Sequence, residues 1–178
     1  MSEKPVLIHP NAGERGMTEL HYAAYSNDVD AVRKQLQLRI PVDARDDNGQ
    51  TPLLWSIDMA QATGDPIGVV SLLLEAVASA NATDHSGLSV LMMACGRNNL
   101  DILSKLIAAG ANVHWSDAKS TPLHEAAKNN FSEGIRCLVL NGADIMRKDS
   151  LGRTAEQIAE QNGFEDSVSV LREFRSKT

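Results

Sequence analysis

Cysteine is scarce in this chain, with only Cys95 and Cys137 among 178 residues. They lie far apart and show no ligand-like spacing, which excludes a disulfide framework and a paired-cysteine metal site. Both are expected to be small buried hydrophobes in a reducing compartment, and cytoplasm is the expected location. Aromatic residues make up only 4% of a chain that is 43% hydrophobic. That balance suits thin layers of Leu, Val, Ile and Ala rather than a core built around large rings. No apolar run approaches the ~18 residues that a membrane-spanning helix needs. The opening Met1-Ser2-Glu3-Lys4-Pro5 lacks the charged-then-apolar layout of a secretory signal. Positive charge is short too: the formal net charge is −6, which argues against general nucleic-acid binding.

What the chain has is self-similarity. Ser120-Thr121-Pro122-Leu123-His124-Glu125-Ala126-Ala127 recurs as Met17-Thr18-Glu19-Leu20-His21-Tyr22-Ala23-Ala24. Weaker copies open at Gln50-Thr51-Pro52-Leu53, Leu88-Ser89-Val90-Leu91 and Arg153-Thr154-Ala155. The Thr or Ser anchors are separated by 33, 38, 32 and 33 residues. A period near 33 headed by T-P-L-H-x-A resembles the ankyrin repeat, over roughly residues 13–175.

The local chemistry fits a turn, a helix, a reversal and a second helix in each unit. Gly49, Gly87 and Gly152 stand where a hairpin tip needs positive φ. Thr or Ser follows as an N-cap, and Pro52 and Pro122 occupy the first helical position, where a missing N–H costs nothing. His21 and His124 are expected to bond the adjoining hairpin backbone and tie units together. The second helix is clearest at Leu100, Ile102, Leu103, Leu106 and Ile107, closed by Gly110 as a left-handed cap. Such short helices are marginal alone and gain stability by stacking. The expected fold is therefore all-α, an ankyrin-repeat solenoid of helix–turn–helix units joined by β-hairpin loops.

Residues 1–12, with the apolar Pro5–Pro10 segment, are expected to be a tail, either laid across the first unit or mobile. One domain then covers 13–175, in repeats at about 13–45, 46–83, 84–116, 117–148 and 149–175. In the first, the second helix carries Arg33, Lys34, Gln35 and Gln37 where internal repeats are more apolar, with Gln35 where the family pattern expects Leu, a polar outer face suited to an end cap. The second is five residues too long, with the excess at Ala60–Gly68 between its helices, and Val77-Ala78-Ser79 departs from the usual Gly-Ala-Asp. Gly134, in the fourth, replaces a bulky aliphatic and is expected to thin the packing. In the fifth, Glu156, Glu160 and Arg172 take positions that would face a sixth repeat. We therefore expect a self-contained array, capped at both ends.

No catalytic pattern emerges. His85 and His114 lie on or near successive hairpins without a third ligand, and His124-Glu125 is not completed as a zinc-protease motif, since Lys128 takes the second histidine's place. Neither a catalytic residue, a cofactor site nor a metal site is expected.

The resemblance implies binding instead, through a concave groove of hairpin tips and first helices. The positions it picks out as partner-binding are Met17 and Tyr25 in repeat one, and Arg45, Asp47, Asn48, Gln50 and Asp58 in repeat two. Repeats three to five supply His85, Leu88 and Arg97; Trp115, Lys119 and Lys128; and Lys148 and Arg153. Trp115 replaces a small residue beside a hairpin, so it reads either as a binding anchor or as packing against the neighbouring tip. Trp55 is expected in the core. With Arg15 and Glu14 included, these positions hold seven cations and three acids, and from Arg97 onward no acid at all. That implies a basic C-terminal half in an acidic body, suited to an acidic epitope on a protein partner. The implied function is a non-catalytic adaptor or inhibitor, monomeric alone, with an immunity-type toxin inhibitor as one variant. An anionic-ligand or nucleic-acid binder and a purely structural oligomer are rivals of other classes.

Overall fold

The computed structural model describes residues 14–58, 64–117 and 119–176. Expectations for the tail at 1–12 and for residues 60–63 of the 60–68 insertion fall outside them. Ten α-helices occur among the described residues, following a short 3-10 turn at Glu14–Gly16. They come as five pairs: α1 (Glu19–Tyr25) and α2 (Val29–Gln37), α3 (Pro52–Asp58) and α4 (Pro66–Glu75), α5 (Val90–Gly96) and α6 (Leu100–Ala108), α7 (Pro122–Lys128) and α8 (Ser132–Leu140), α9 (Ala155–Gln161) and α10 (Glu165–Arg175). First helices pack in one row, α1 on α3, α3 on α5, α5 on α7 and α7 on α9. Second helices form the parallel row from α2 to α10. The connectors are tight turns rather than sheet; among the described residues one isolated antiparallel bridge joins Thr83 and Ser89.

Each first helix starts as its sequence dictates. Ser89 Oγ accepts from Met92 N at 3.2 Å, and Thr154 Oγ1 from Gln157 N at 3.3 Å. At Thr18 and Thr121 the histidine three residues on completes the cap. Its Nδ1 accepts the cap backbone N–H, at 3.0 Å for His21 and 3.2 Å for His124. Nε2 then bonds backbone carbonyls at the junction with the next repeat. His21 bonds Gln50 O at 3.1 Å, while His124 bonds Arg147 O at 3.1 Å and Arg153 O at 3.2 Å. Burial lowers both histidine pKa values below 6.5, against the upward pull of these carbonyls. Neutral imidazole is the form that can accept at Nδ1 while donating from Nε2.

The core runs unbroken through the stack. Leu20, Leu53, Leu91 and Leu123, all from the motif's Leu position, are at most 2% exposed, and Ile102, Leu103 and Leu106 are wholly buried. Leu100, read with that helix's apolar face, is instead 40% exposed. Arg33, Lys34 and Gln37 are exposed, as the polar-face expectation for α2 requires, but Gln35 departs from it: it is buried, and its Oε1 has no hydrogen-bond partner among the described residues. Gly134 does not thin the packing either. The buried Phe131 ring fills the space, and a Cβ on Gly134 would lie 2.1 Å from its Cδ1. In the fifth repeat Glu156 replaces the motif leucine. Arg172 Nε holds its carboxylate at 3.1 Å and Arg175 Nη1 at 2.7 Å, giving the last pair a charged end face.

The exit of α4 shows what the missing glycine costs. Val77 has φ 67°, in the place where Gly110 and Gly142 adopt 86° and 93°. A β-branched residue is strained there, and Val77 is 82% exposed, so it gains little from burial. Val77→Gly should stabilise the protein by about 1 kcal/mol, raising the thermal midpoint by roughly 2–4 °C in an unfolding scan. The described end of the insertion is also fixed. Asp65 N donates to Asn27 O at 3.0 Å, and the Asp65 carboxylate caps α4 at Gly68 N at 2.8 Å.

Candidate functional site

An aspartate that heads each hairpin builds the tips. Asp46 Oδ1 accepts from Asn48 N at 2.9 Å and Gln50 N at 2.8 Å. Asp84 repeats this with Ser86 and Leu88, at 2.8 and 3.0 Å, and Asp149 with Leu151 and Arg153, both at 2.9 Å. In the shortened fourth hairpin Asp117 Oδ1 takes Lys119 N at 2.7 Å and Ser120 N at 2.5 Å. Consecutive tips are then linked: Asp47 N to Arg15 O at 2.8 Å, His85 N to Asn48 O at 2.9 Å, and Ser150 N to Lys119 O at 2.9 Å. Between repeats three and four the half-buried Trp115 makes such a link with its side chain, Nε1 donating to Gly87 O at 3.1 Å. That is the packing alternative of the two roles its position suggested.

Trp55 corrects the sequence reading. It is half-buried on the same face as the tips, not in the core. Its Nε1 donates to Asp46 Oδ2 at 3.1 Å, and its ring meets Tyr25 edge-to-face with centroids 5.6 Å apart. Tyr25 is 41% exposed. Asp58, one turn beyond Trp55, forms an ion pair with Arg97 of the next repeat.

The expected basic half is largely engaged within the protein. Glu125 holds Lys128 at 2.7 Å and also accepts Ser120 Oγ at 2.6 Å. Asp149 holds Arg153 at 2.7 Å, and Arg153 also reaches Gln161 at 3.2 Å. Burial works to raise the Asp149 pKa, but the Arg153 side chain, the Arg153 and Leu151 N–H groups and the Arg153 charge together pull it down to about 2. Arg45 is likewise committed, Nη1 donating to Gly49 O at 2.7 Å and Thr83 O at 2.6 Å. Among the described residues Lys119, Arg147 and Lys148 are exposed and make no ion pair.

The remaining positions divide by exposure. Asp47, Asn48 and His85 are exposed, Gln50 and Leu88 are half-buried, and Met17 is buried and offers no surface. Sequence reasoning missed Trp55, Glu125 and the four hairpin aspartates. One signal was available. The variable x of T-P-L-H-x-A holds Tyr22, Trp55, Met93, Glu125 and Ile158, a mixture that a uniformly buried position would not tolerate.

No group of His, Cys, Asp or Glu able to hold a metal occurs among the described residues. Cys95 is fully buried, and desolvation above all, with Glu125 and Cys137 adding to it, pushes its thiol far above the ordinary value. A thiol held protonated in that way is a poor nucleophile. Cys137, expected to face the core, is only partly buried.

Comparison with known proteins agrees with the architecture. Family models described as ankyrin repeats in three copies match residues 57–149 and 91–177, and one described as ankyrin repeats in many copies matches 20–65. The chain belongs to the ankyrin-repeat family. It is 33% identical to the nuclear factor NF-kappa-B p105 subunit of Gallus gallus over 87% of this chain and 16% of that protein. Its identity to ankyrin repeat domain-containing protein 63 of Mus musculus is 30%, over 94% of this chain and 44% of the relative. A probable palmitoyltransferase of Saccharomyces uvarum is 27% identical over 90% of this chain and 22% of its own length. The chain thus spans less than half of each of these relatives, and the activities of those whole proteins do not transfer with the repeats. Ankyrin repeats generally mediate protein–protein interaction. No helix among the described residues is long and apolar enough to cross a membrane.

Proposed function

We propose that this chain is a rigid, non-catalytic binding module, monomeric alone, that holds a protein partner across the face of its first helices and hairpin tips as an adaptor or inhibitor. The Tyr25–Trp55 pair carries this reading. An aromatic pair on an accessible face, with the Trp55 indole already fixed by Asp46, resembles an interface anchor that loses little freedom on binding. Inhibition of a toxin or enzyme by masking its active site is one form the function takes. A nucleic-acid role is disfavoured, because Arg97, Lys128 and Arg153 already have carboxylate partners. Lys119, Arg147 and Lys148 remain to meet an acidic epitope.

Affinity capture from native lysate tests the reading. Tyr25→Ala should weaken retention of the captured protein at least tenfold, as expected for loss of an anchor worth about 2 kcal/mol, with the thermal midpoint unchanged. Retention that survives Tyr25→Ala would refute it.

A further inference from the structure

Lysine and arginine dominate the C-terminal half of the face, yet its floor is close to charge-balanced. Asp58, Glu125 and Asp149 engage Arg97, Lys128 and Arg153. Within this half, the exposed cations without a carboxylate partner among the described residues are Lys119, Arg147 and Lys148, which belong instead to the hairpins of repeats four and five. The bond from Ser150 N to Lys119 O, 2.9 Å long, sets Lys119 beside the last tip. There stands Leu151, 72% exposed, where the earlier tips carry Asn48, Ser86 and Lys119. Acids of the same hairpins offset this charge only in part. Asp117, Asp144 and Asp149 each turn Oδ1 onto backbone N–H groups, and the Asp149 side chain is 3% exposed.

We infer that the ridge made by the tips of repeats four and five docks a short acidic segment of the partner, with an aliphatic residue of that segment seated on Leu151. The inference rests on the protein-binding reading and adds to it the chemistry of the partner. Leu151 is what separates such a segment from a plain polyanion. Phosphate backbones make no use of an exposed leucine, and three cations on a chain of net charge −6 give them little purchase. An acidic peptide uses both features, gaining on-rate and register from the cations and apolar contact from Leu151.

The test uses a fluorescein-labelled octapeptide of six glutamates and two leucines, read by anisotropy at low salt against the full chain. Saturable binding is expected. Lys119→Glu with Lys148→Glu should weaken it roughly tenfold. Leu151→Ser, or serine in place of the peptide leucines, should weaken it several-fold. Arg97→Ala and Lys128→Ala should leave it within about twofold, since their charges are already engaged. Unchanged thermal midpoints confirm that the exposed substitutions leave the stack intact. Absence of saturable binding, equal losses from Lys128→Ala, or equal binding of an all-glutamate peptide and of heparin would each overturn the proposal. Self-association of the chain that Leu151→Ser abolishes would do the same, by giving the ridge to a second copy. If the octapeptide fails while lysate capture still depends on Tyr25, only the ridge assignment falls; if both fail, the protein-binding reading falls with it.

Discussion

Gly134→Ile should destabilise the protein by about 3 kcal/mol or more, although it restores the kind of residue the repeat pattern favours. By the repeat pattern alone, the change fills a gap. In the structure no gap exists, because Phe131, at the N-cap of α8, lays its ring against Gly134 within 2.1 Å of where a Cβ would stand. Isoleucine must then expel a ring that is 5% exposed, and both the lost burial and the local strain count against the fold. Urea denaturation of four proteins separates these terms: the parent, Gly134→Ile, Phe131→Ala and the double variant. If the ring is the obstacle, the double variant is more stable than the sum of the single losses predicts, with a coupling of about 1–3 kcal/mol. Additive losses, or a stabilised Gly134→Ile, would show that the two residues do not compete for one space.

Gly134 also marks where sequence reasoning stops. The fold was legible because each determinant lies within a few residues of what it determines. Thr121 caps its own helix, Gly110 closes its own, and the 33-residue step is visible without knowing what packs on what. Substitutions that compensate one another are harder to read. Gly134 departs from pattern and alone looks like a defect; the Phe131 ring that fills its space lies three residues back and carries no mark of that role in the sequence. The face was legible by position but not by charge. Arg97 finds Asp58 39 residues back, and Lys128 shares Glu125 with Ser120. Counting cations at matching positions omitted Glu125 and Asp149, because one occupies the motif's variable site and the other is a turn-former. Trp55 was misplaced for a related reason. Size and apolarity suggest the core, whereas the indole N–H needs an acceptor, and Asp46 supplies one at the rim.

His124→Ala should cost about 3 kcal/mol and should also change how stability responds to acid. The neutral ring accepts from Thr121 N and donates from Nε2 to the carbonyls of Arg147 and Arg153, so its removal leaves a buried N–H and two partly buried carbonyls at the repeat junction without this partner. Gln157 shows which half of this role can be replaced: in the last repeat its Oε1 accepts from Thr154 N at 3.0 Å, the same cap without the long reach. His124→Gln should therefore recover the cap but not the junction, with a loss roughly half that of alanine. The pH dependence follows from the lowered pKa. Folded His21 and His124 hold their protons less tightly than the unfolded chain, so their contribution is complete above about pH 6.5 and is lost as pH falls through their depressed values. Asp149, lowered from 3.8 to about 2, begins to lose its contribution only below about pH 3.8 and so adds little to the slope above pH 5. Guanidinium titrations at about pH 7.5 and 5 should show the parent losing stability on acidification, and His124→Gln losing distinctly less. An identical pH response in the two proteins would mean that this histidine is not what clasps repeat four to repeat five.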